Sequence, residues 1–335
     1  MEKYPIDFVV LYVDGSDPVW TAKRNQYLHR EDEIADSYSE ERSREFDAFR
    51  YWFRAVAKNA PWVHRIYVVT DDQTPEWLNT EHEKIIAVDH RDFIPPEYLP
   101  LFNSCAIEVN IHRIKGLSEH FVYFNDDMVL NSPVVPGDFF HSGLPLYYAG
   151  QRLMHPLKLT SFEYQKFTDM GIINRNFTEK QVRRCYRERL CRTEYGMKAM
   201  LRNVMFSTMH KFEKFEDEHC CTAMLKSTME EVWEKEPQLL AETASSKFRS
   251  PLNVNSFLFR YWDIAAGRFV PRSKRARYYS LKTDSPAVWS KDIIKGVTPF
   301  ICLNDDISSG EADRIKMKMQ HAFRIRYPEK CEFEH

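Results

Sequence analysis

The sequence predicts an α/β fold built on a mostly parallel sheet, and two observations carry that expectation. Between residues 6 and about 130, apolar runs alternate with segments of helical periodicity, the pattern of strand–helix–strand units. The runs Ile6–Val13, Ile66–Thr70, Ile85–Val88 and Phe121–Phe124 also end abruptly in polar clusters: Asp14-Gly15-Ser16-Asp17, Asp71-Asp72, Asp89 and Asn125-Asp126-Asp127. In an open α/β sheet, ligands bind outside the carboxyl ends of the strands. Carboxylates gathered there call for a divalent cation, and a hard cation with oxygen ligands points to a phosphate-bearing substrate.

Taken in order, Ile6–Val13 is the first strand. Glu45–Asn59 sets Phe46, Phe49, Phe53, Val56 and Ala57 at helical spacing, and Ala60-Pro61 closes that helix. Val63–Thr70 is the second strand, Pro75-Glu76-Trp77-Leu78 opens a short helix, and Ile85–Val88 is the third strand. Asn103 is placed to N-cap a helix running through Ile114, with Gly116 at its C-terminal end. Phe121–Leu130 is the fourth strand, interrupted by its own polar triplet.

From about residue 150 the character changes. Asn174–Asn203 carries Arg175, Arg183, Arg184, Arg187, Arg189, Arg192 and Arg202 among apolar residues, and it reads as a helical insertion. Its arginines form either a solvated amphipathic face or a docking surface for an anionic acceptor or lipid headgroups. Met224–Lys235 and the aromatic Asn255–Ala266 are further helices. Asn304-Asp305-Asp306 follows an apolar run, and a last helix spans about Gly310 to Ile325.

Composition narrows the class. With 335 residues, 43% of them hydrophobic, the chain can bury a large core, and a net charge of -2 excludes a strong overall field for nucleic acid. No run approaches the roughly 20 apolar residues needed to cross a bilayer. Met1–Pro5 leads into a strand without an apolar leader core. The seven cysteines contain no C-x-x-C pair, which fits reduced thiols in a cytoplasmic setting.

The strongest local motif is Asn125-Asp126-Asp127. Paired carboxylates at a strand end hold Mg²⁺ or Mn²⁺, although an Asx-turn would use the same residues. Asp14-Gly15-Ser16-Asp17-Pro18 stands where nucleotide-binding folds place a phosphate or base loop; Asp14 and Asp17 would contact ribose, base or metal, or form a plain turn. Ser104, Glu108 and His112 share a helix face, suited to sugar hydroxyls or to solvent. His210 and His219 can each act as a general base, and Arg249 can clamp phosphate oxygens. Taken singly, such residues are more often an exposed loop histidine and an ordinary surface arginine.

The order of motifs adds to this. Ile6–Trp20 resembles the first conserved block of the Stealth family of capsular and exopolysaccharide sugar-phosphate transferases, relatives of the enzyme that begins the lysosomal mannose-phosphate tag. Phe49–Arg54, Ala60–Val63, Pro75–Leu78, Leu99–Ser104, Gly116–Glu119 and Asn125–Asp127 resemble the second. His219–Trp233 with Phe248–Pro251 resembles the third, and Cys302–Asp305 the fourth.

The resemblance implies a Rossmann-like nucleotide-sugar transferase fold and a UDP-sugar donor. It also implies attack by a hydroxyl of a polysaccharide or glycolipid acceptor on the sugar-linked phosphate, releasing UMP. By motif position His219 becomes the base and Arg249 the phosphate clamp, with Asp127 catalytic. Asp126, Asp127 and Asp305 become metal ligands, and Asp14, Gly15, Asp17, Arg50, Asn103 and Asn125 form the donor pocket. Asp71-Asp72 and Asp89 are left as turns.

Two positions depart from the pattern: Cys220-Cys221 follows His219 where a small residue and proline are usual, and Asn253 stands where an acidic residue is common. The chain then divides into a donor-binding half (1–150), a basic insertion (151–209) and a half completing one composite site (210–335). The expected setting is the cytoplasm, with peripheral contact at the inner membrane face through 174–203. A conventional glycosyltransferase releasing UDP, and a catalytically silent sugar- or nucleotide-binding protein, are the competing readings.

Overall fold

Strand β1 (Ile6–Leu11) lies at the centre of a five-stranded sheet with all six residues buried. Pleating sends its side chains to alternate faces. Ile6, Phe8 and Val10 enter one apolar cluster, while Val9 and Leu11 enter another. Cover on both faces is why the run is almost continuously apolar. The computed structural model describes residues 4–28, 46–154, 161–307 and 309–335.

After β1 come α1 (Pro18–Tyr27), α2 (Phe49–Asn59), β2 (Ile66–Thr70), β3 (Ile85–Asp89), α3 (Ser104–Glu108), β4 (His120–Asn125) and β5 (Met128–Leu130). A short ribbon of β6 (Gln151–Arg152) and β7 (Lys214–Phe215) brackets α4 (Ser161–Asn176), α5 (Glu179–Cys185) and α6 (Met197–Phe206). Then follow β8 (Thr222–Leu225), α7 (Lys226–Lys235), α8 (Pro237–Ser245) and α9 (Phe257–Ala266). The chain continues with β9 (Ala276–Ser280), α10 (Pro286–Lys295), β10 (Phe300–Asn304) and α11 (Ser309–Arg326).

The main sheet has the order β8-β4-β1-β2-β3, with β1 to β4 mutually parallel and only β8 antiparallel. It is the mostly parallel α/β sheet expected from the sequence. Phe49, Trp52, Phe53 and Val56 of α2 cover one face; α4, α7 and α9 supply Ile173, Met229 and Tyr261 to the other.

Local departures have identifiable causes. The fourth strand is two strands in two sheets: β5 leaves β4 at the acidic triplet and pairs antiparallel with β10, itself parallel to β9. Pro75–Leu78 is a turn and not a helix, because Leu78 bridges to Glu334 while the Trp77 ring packs on Phe49 and Phe53. The helix capped by Asn103 stops at Glu108. The Asn110 side chain takes the Ala106 carbonyl at 2.8 Å, so its own N–H turns to Ile107 and the chain tightens into a 3₁₀ turn at Ile111–Arg113. Met224 and Leu225 belong to β8, paired with Phe121 and His120, which delays α7 to Lys226. Glu45 lies outside the described residues, and the expected Glu45–Asn59 helix starts only at Phe49, because Asp47 takes a left-handed backbone (φ 54°) and Phe46–Ala48 are not helical.

The arginine-rich segment is helical, with Val182, Tyr186 and Leu190 in the core shared with α9. Outside, Arg175 pairs with Glu236, Arg183 with Glu179, and Arg184 and Arg187 with Glu188.

Candidate active site

A cavity of about 1100 Å³ opens at the carboxyl ends of β1, β2 and β4. Leu11–Val13, Asp71, Gln73, Tyr123 and Asn125–Asp127 line its floor. The start of α3, the Phe248-Arg249 loop, α4 and the end of β10 close it. Loops at one sheet edge, fed by both halves of the chain, thus meet in one place.

Asp127 stands at the junction of the two sheets. Its Oδ2 accepts from the Cys302 thiol at 3.2 Å, and its Oδ1 is buried with no hydrogen-bond partner among the described residues. Burial holds this carboxyl above the usual range, opposed by the nearby charge of His219. The donor atoms of Asp127, His219 and Cys302 all lie within 4.8 Å of one another. His219 has a left-handed backbone (φ 44°), unusual for a residue with a side chain, and its ring is set among Phe162, Phe257 and Tyr278. The backbone aims the imidazole, and the aromatic rings hold it.

Arg249 donates to Ser104 Oγ at 2.7 Å, so the first residue of α3 orients the guanidinium at the cavity wall. Asn103 acts one layer back. It accepts from Cys105 N–H as the helix cap and donates to the Ser246 and Phe248 carbonyls and to Asn253 Oδ1. Glu108 accepts from the Tyr123 hydroxyl at 3.0 Å and from Ser256 N–H at 2.7 Å. The same hydroxyl lies 2.6 Å from Asn125 Oδ1 and shares its one proton between the two oxygens, which fixes that cavity-lining amide.

Other expected site residues are placed differently. Asp14 accepts from Ser16 N–H and hydroxyl, Gly15 offers its carbonyl to Thr21, and Asp17 caps α1 by accepting from Val19 N–H at 2.8 Å. Arg50 lies over the Trp77 ring, 5.4 Å from its centroid. The cavity wall near them is made by Tyr12, Val13 and Phe49. Asp126 and Asp305 line the cavity with Asp127, outside the group of donors just described. His112 is buried 5.8 Å from the Trp233 ring, and His210 pairs with Glu179 on the surface.

Sequence reasoning passed over several cavity residues. Asp71, read as a turn, lines the cavity and pairs with Lys23 at 2.7 Å. Gln73 donates to the Asp14 carbonyl at 2.8 Å and to Asp17 Oδ2 at 3.0 Å, lacing the first loop to the second. His90 is buried beside them and held neutral by burial, its pKa lowered. Tyr278 carried no motif, and Cys302, within the fourth block, was given no role of its own; the pairing of β5 with β10 brings its thiol to Asp127 behind the cavity lining.

Comparison with known proteins gives full-length similarities. The chain is 40% identical to the receptor polysaccharide phosphotransferase WefC of Streptococcus gordonii, over 98% of each protein. It is 37% identical to the capsular polysaccharide phosphotransferase WcwK of Streptococcus pneumoniae, over 98% of this chain and 99% of that one. It is 39% identical to the exopolysaccharide phosphotransferase cps2G of Lactiplantibacillus plantarum, over 99% and 96%. Residues 42–145 match the profile of Stealth protein CR2, conserved region 2.

Proposed function

The chain belongs to the Stealth family, and from that premise we propose that it transfers hexose 1-phosphate from a UDP-sugar to a hydroxyl of a polysaccharide or glycolipid acceptor, releasing UMP. Its relatives' names support a sugar-phosphate transferase of capsule or exopolysaccharide synthesis. One observation carries the chemical reading: His219 and Asp127, 92 residues apart in the chain (219 minus 127), meet in the cavity that Arg249 also lines.

In this reading His219 removes the proton of the acceptor hydroxyl as its oxygen bonds to the sugar-linked phosphorus. The bond from that phosphorus to the UMP oxygen breaks, and the electron pair leaves on UMP. Arg249, fixed by Ser104, neutralises charge on the phosphate oxygens, where positioning and electrostatics do most of the work. Protonated His219 draws the neighbouring Asp127 towards its charged form, so each stabilises the other as the proton moves. Asp14, Gly15, Asp17, Arg50, Asn103 and Asn125 shape the donor end; for Asn103 the contacts favour support of the Arg249 loop over touching the nucleotide.

The buried, unpartnered Oδ1 of Asp127 suits a hard cation. With Asp126 and Asp305 on the same wall, it would hold Mg²⁺ or Mn²⁺, which supplies charge neutralisation on the diphosphate.

The acidic turn at Asp126-Asp127 suits a conventional glycosyltransferase equally well. A UDP-sugar labelled with ³²P in its sugar-linked phosphate separates the two. Label entering the polymer supports phosphotransfer, and label retained in the nucleotide overturns it.

Among the described residues no helix is long and apolar enough to cross a membrane. We place the enzyme in the cytoplasm at the inner membrane face. The paired arginines favour a narrower contact than the whole 174–203 segment: α6 exposes Met197, Leu201, Val204 and Met205 at helical spacing, beside exposed Arg192 and Lys198. An apolar stripe edged by cations suits anionic lipid headgroups.

A further inference from the structure

In the ribbon of β6 and β7, Arg152 stands directly opposite Lys214. Like charges placed so cost stability. Both residues line the cavity, as does Lys166 of α4, which is only 7% exposed. Lys166 Nζ lies 3.0 Å from Glu163 Oε1, and Lys214 Nζ lies 3.9 Å from the other oxygen of the same carboxylate. One carboxylate therefore faces two ammonium groups.

Neighbouring acids do not restore the balance. Glu216 is shared by Arg152, Arg202 and Lys274. Asp217 accepts from Arg260 at 3.0 Å and from the Tyr261 hydroxyl at 2.6 Å. Burial, and then Asp217, push the Asp169 carboxyl well above the ordinary range, which disfavours its charged form. Burial, and then the nearby Lys166, lower the Lys214 ammonium. Among the described residues this wall is crowded with cations, and a bound anion would relieve it.

We propose that Lys166 and Lys214, with Arg152 at the rim, form a phosphate-binding subsite of the cavity, separate from Arg249. The proposal rests on the cavity being the place where phosphate is transferred. Ammonium groups act as point charges towards phosphate oxygens, and two of them close together suit a tetrahedral anion. The phosphate has two sources, the donor's diphosphate or a phosphodiester already present in the acceptor chain.

Calorimetric titration of inorganic phosphate, and separately of UDP, into the wild type and into Lys166→Met and Lys214→Met tests this. Met matches the lysine stem and removes a buried charge; a Lys166→Arg/Lys214→Arg variant keeps both charges. Expected is phosphate binding at least tenfold weaker in each Met variant and near wild type in the Arg variant. Equal weakening of UDP assigns the subsite to the donor, and unchanged UDP affinity assigns it to the acceptor. Phosphate affinity that is undetectable in the wild type, or equal in wild type and Met variants, overturns the proposal. A UDP product in turnover would instead sink the phosphotransferase reading and leave this titration unchanged.

Discussion

The side-chain amide of Asn103 donates to Asn253 Oδ1 at 3.0 Å, inside the protein and across 150 residues of chain. Asn253 also accepts from Ser250 N–H at 2.8 Å and donates to Ser246 Oγ at 3.0 Å. These bonds hold the loop that carries Arg249. An aspartate at 253 keeps both acceptor bonds, which is why an acidic residue suits this place too; the Ser246 hydroxyl, now donating to the Glu242 carbonyl at 2.7 Å, gives up that bond if it turns to the new carboxylate. Asn253→Asp is expected to keep activity and to lose about 1 kcal/mol of stability, one hydrogen bond at this buried place. Asn103→Ala strands buried carbonyls, so about 2–3 kcal/mol of stability and most of the turnover should be lost. Urea unfolding with parallel kinetics checks both; an unaffected Asn103→Ala would contradict this role.

His219→Ala should lower kcat about a hundred- to ten-thousandfold, the usual worth of a general base. Asp127→Asn should be comparably inactive yet no less stable, because the raised carboxyl of Asp127 marks a charge that burial disfavours. Activity assays paired with thermal melts decide this. A destabilised and still active Asp127→Asn would make the residue structural.

Part of this site was legible in the sequence because Asn125-Asp126-Asp127 sits at a strand end, while His219 and Arg249 stood out through the order of the motifs. Asp127, His219 and Arg249 do converge on one cavity. The loop carboxylates of Asp14 and Asp17 were harder to read, since a turn and a ligand site use the same residue types; here both satisfy backbone N–H groups. Lys166 carried no signal, and Cys302 stood in a motif block without a role of its own. A thiol within an apolar strand and a lysine on a helix acquire meaning only when β10 and α4 dock. The split of Phe121–Leu130 into two sheets likewise depends on a partner strand about 170 residues away (Cys302 opposite Met128).

His112 supplies a pH signature. Burial lowers its pKa from 6.5 to about 4. The unfolded chain then takes up the proton first as pH falls. Stability is unaffected above pH 6.5, drops between 6.5 and about 4, and levels off below. Between pH 7.5 and 5 this one group should cost about 2 kcal/mol, and His112→Phe should escape that loss. Urea unfolding at both pH values measures it; equal losses in the two proteins would contradict the assignment.

The α6 stripe makes a separate claim about location. Leu201→Asp/Met205→Asp should weaken sedimentation with vesicles rich in anionic phospholipid at least tenfold. Turnover on a soluble acceptor should be unchanged. Binding to neutral and anionic vesicles alike, or no loss in the variant, would remove the membrane contact.

The most direct measurement is the nucleotide released during turnover with a UDP-sugar and acceptor, separated chromatographically, with EDTA and added Mg²⁺ as controls. UMP formed in step with phosphodiester, and lost in His219→Ala, is the expected result. UDP as the released nucleotide would contradict sugar-phosphate transfer.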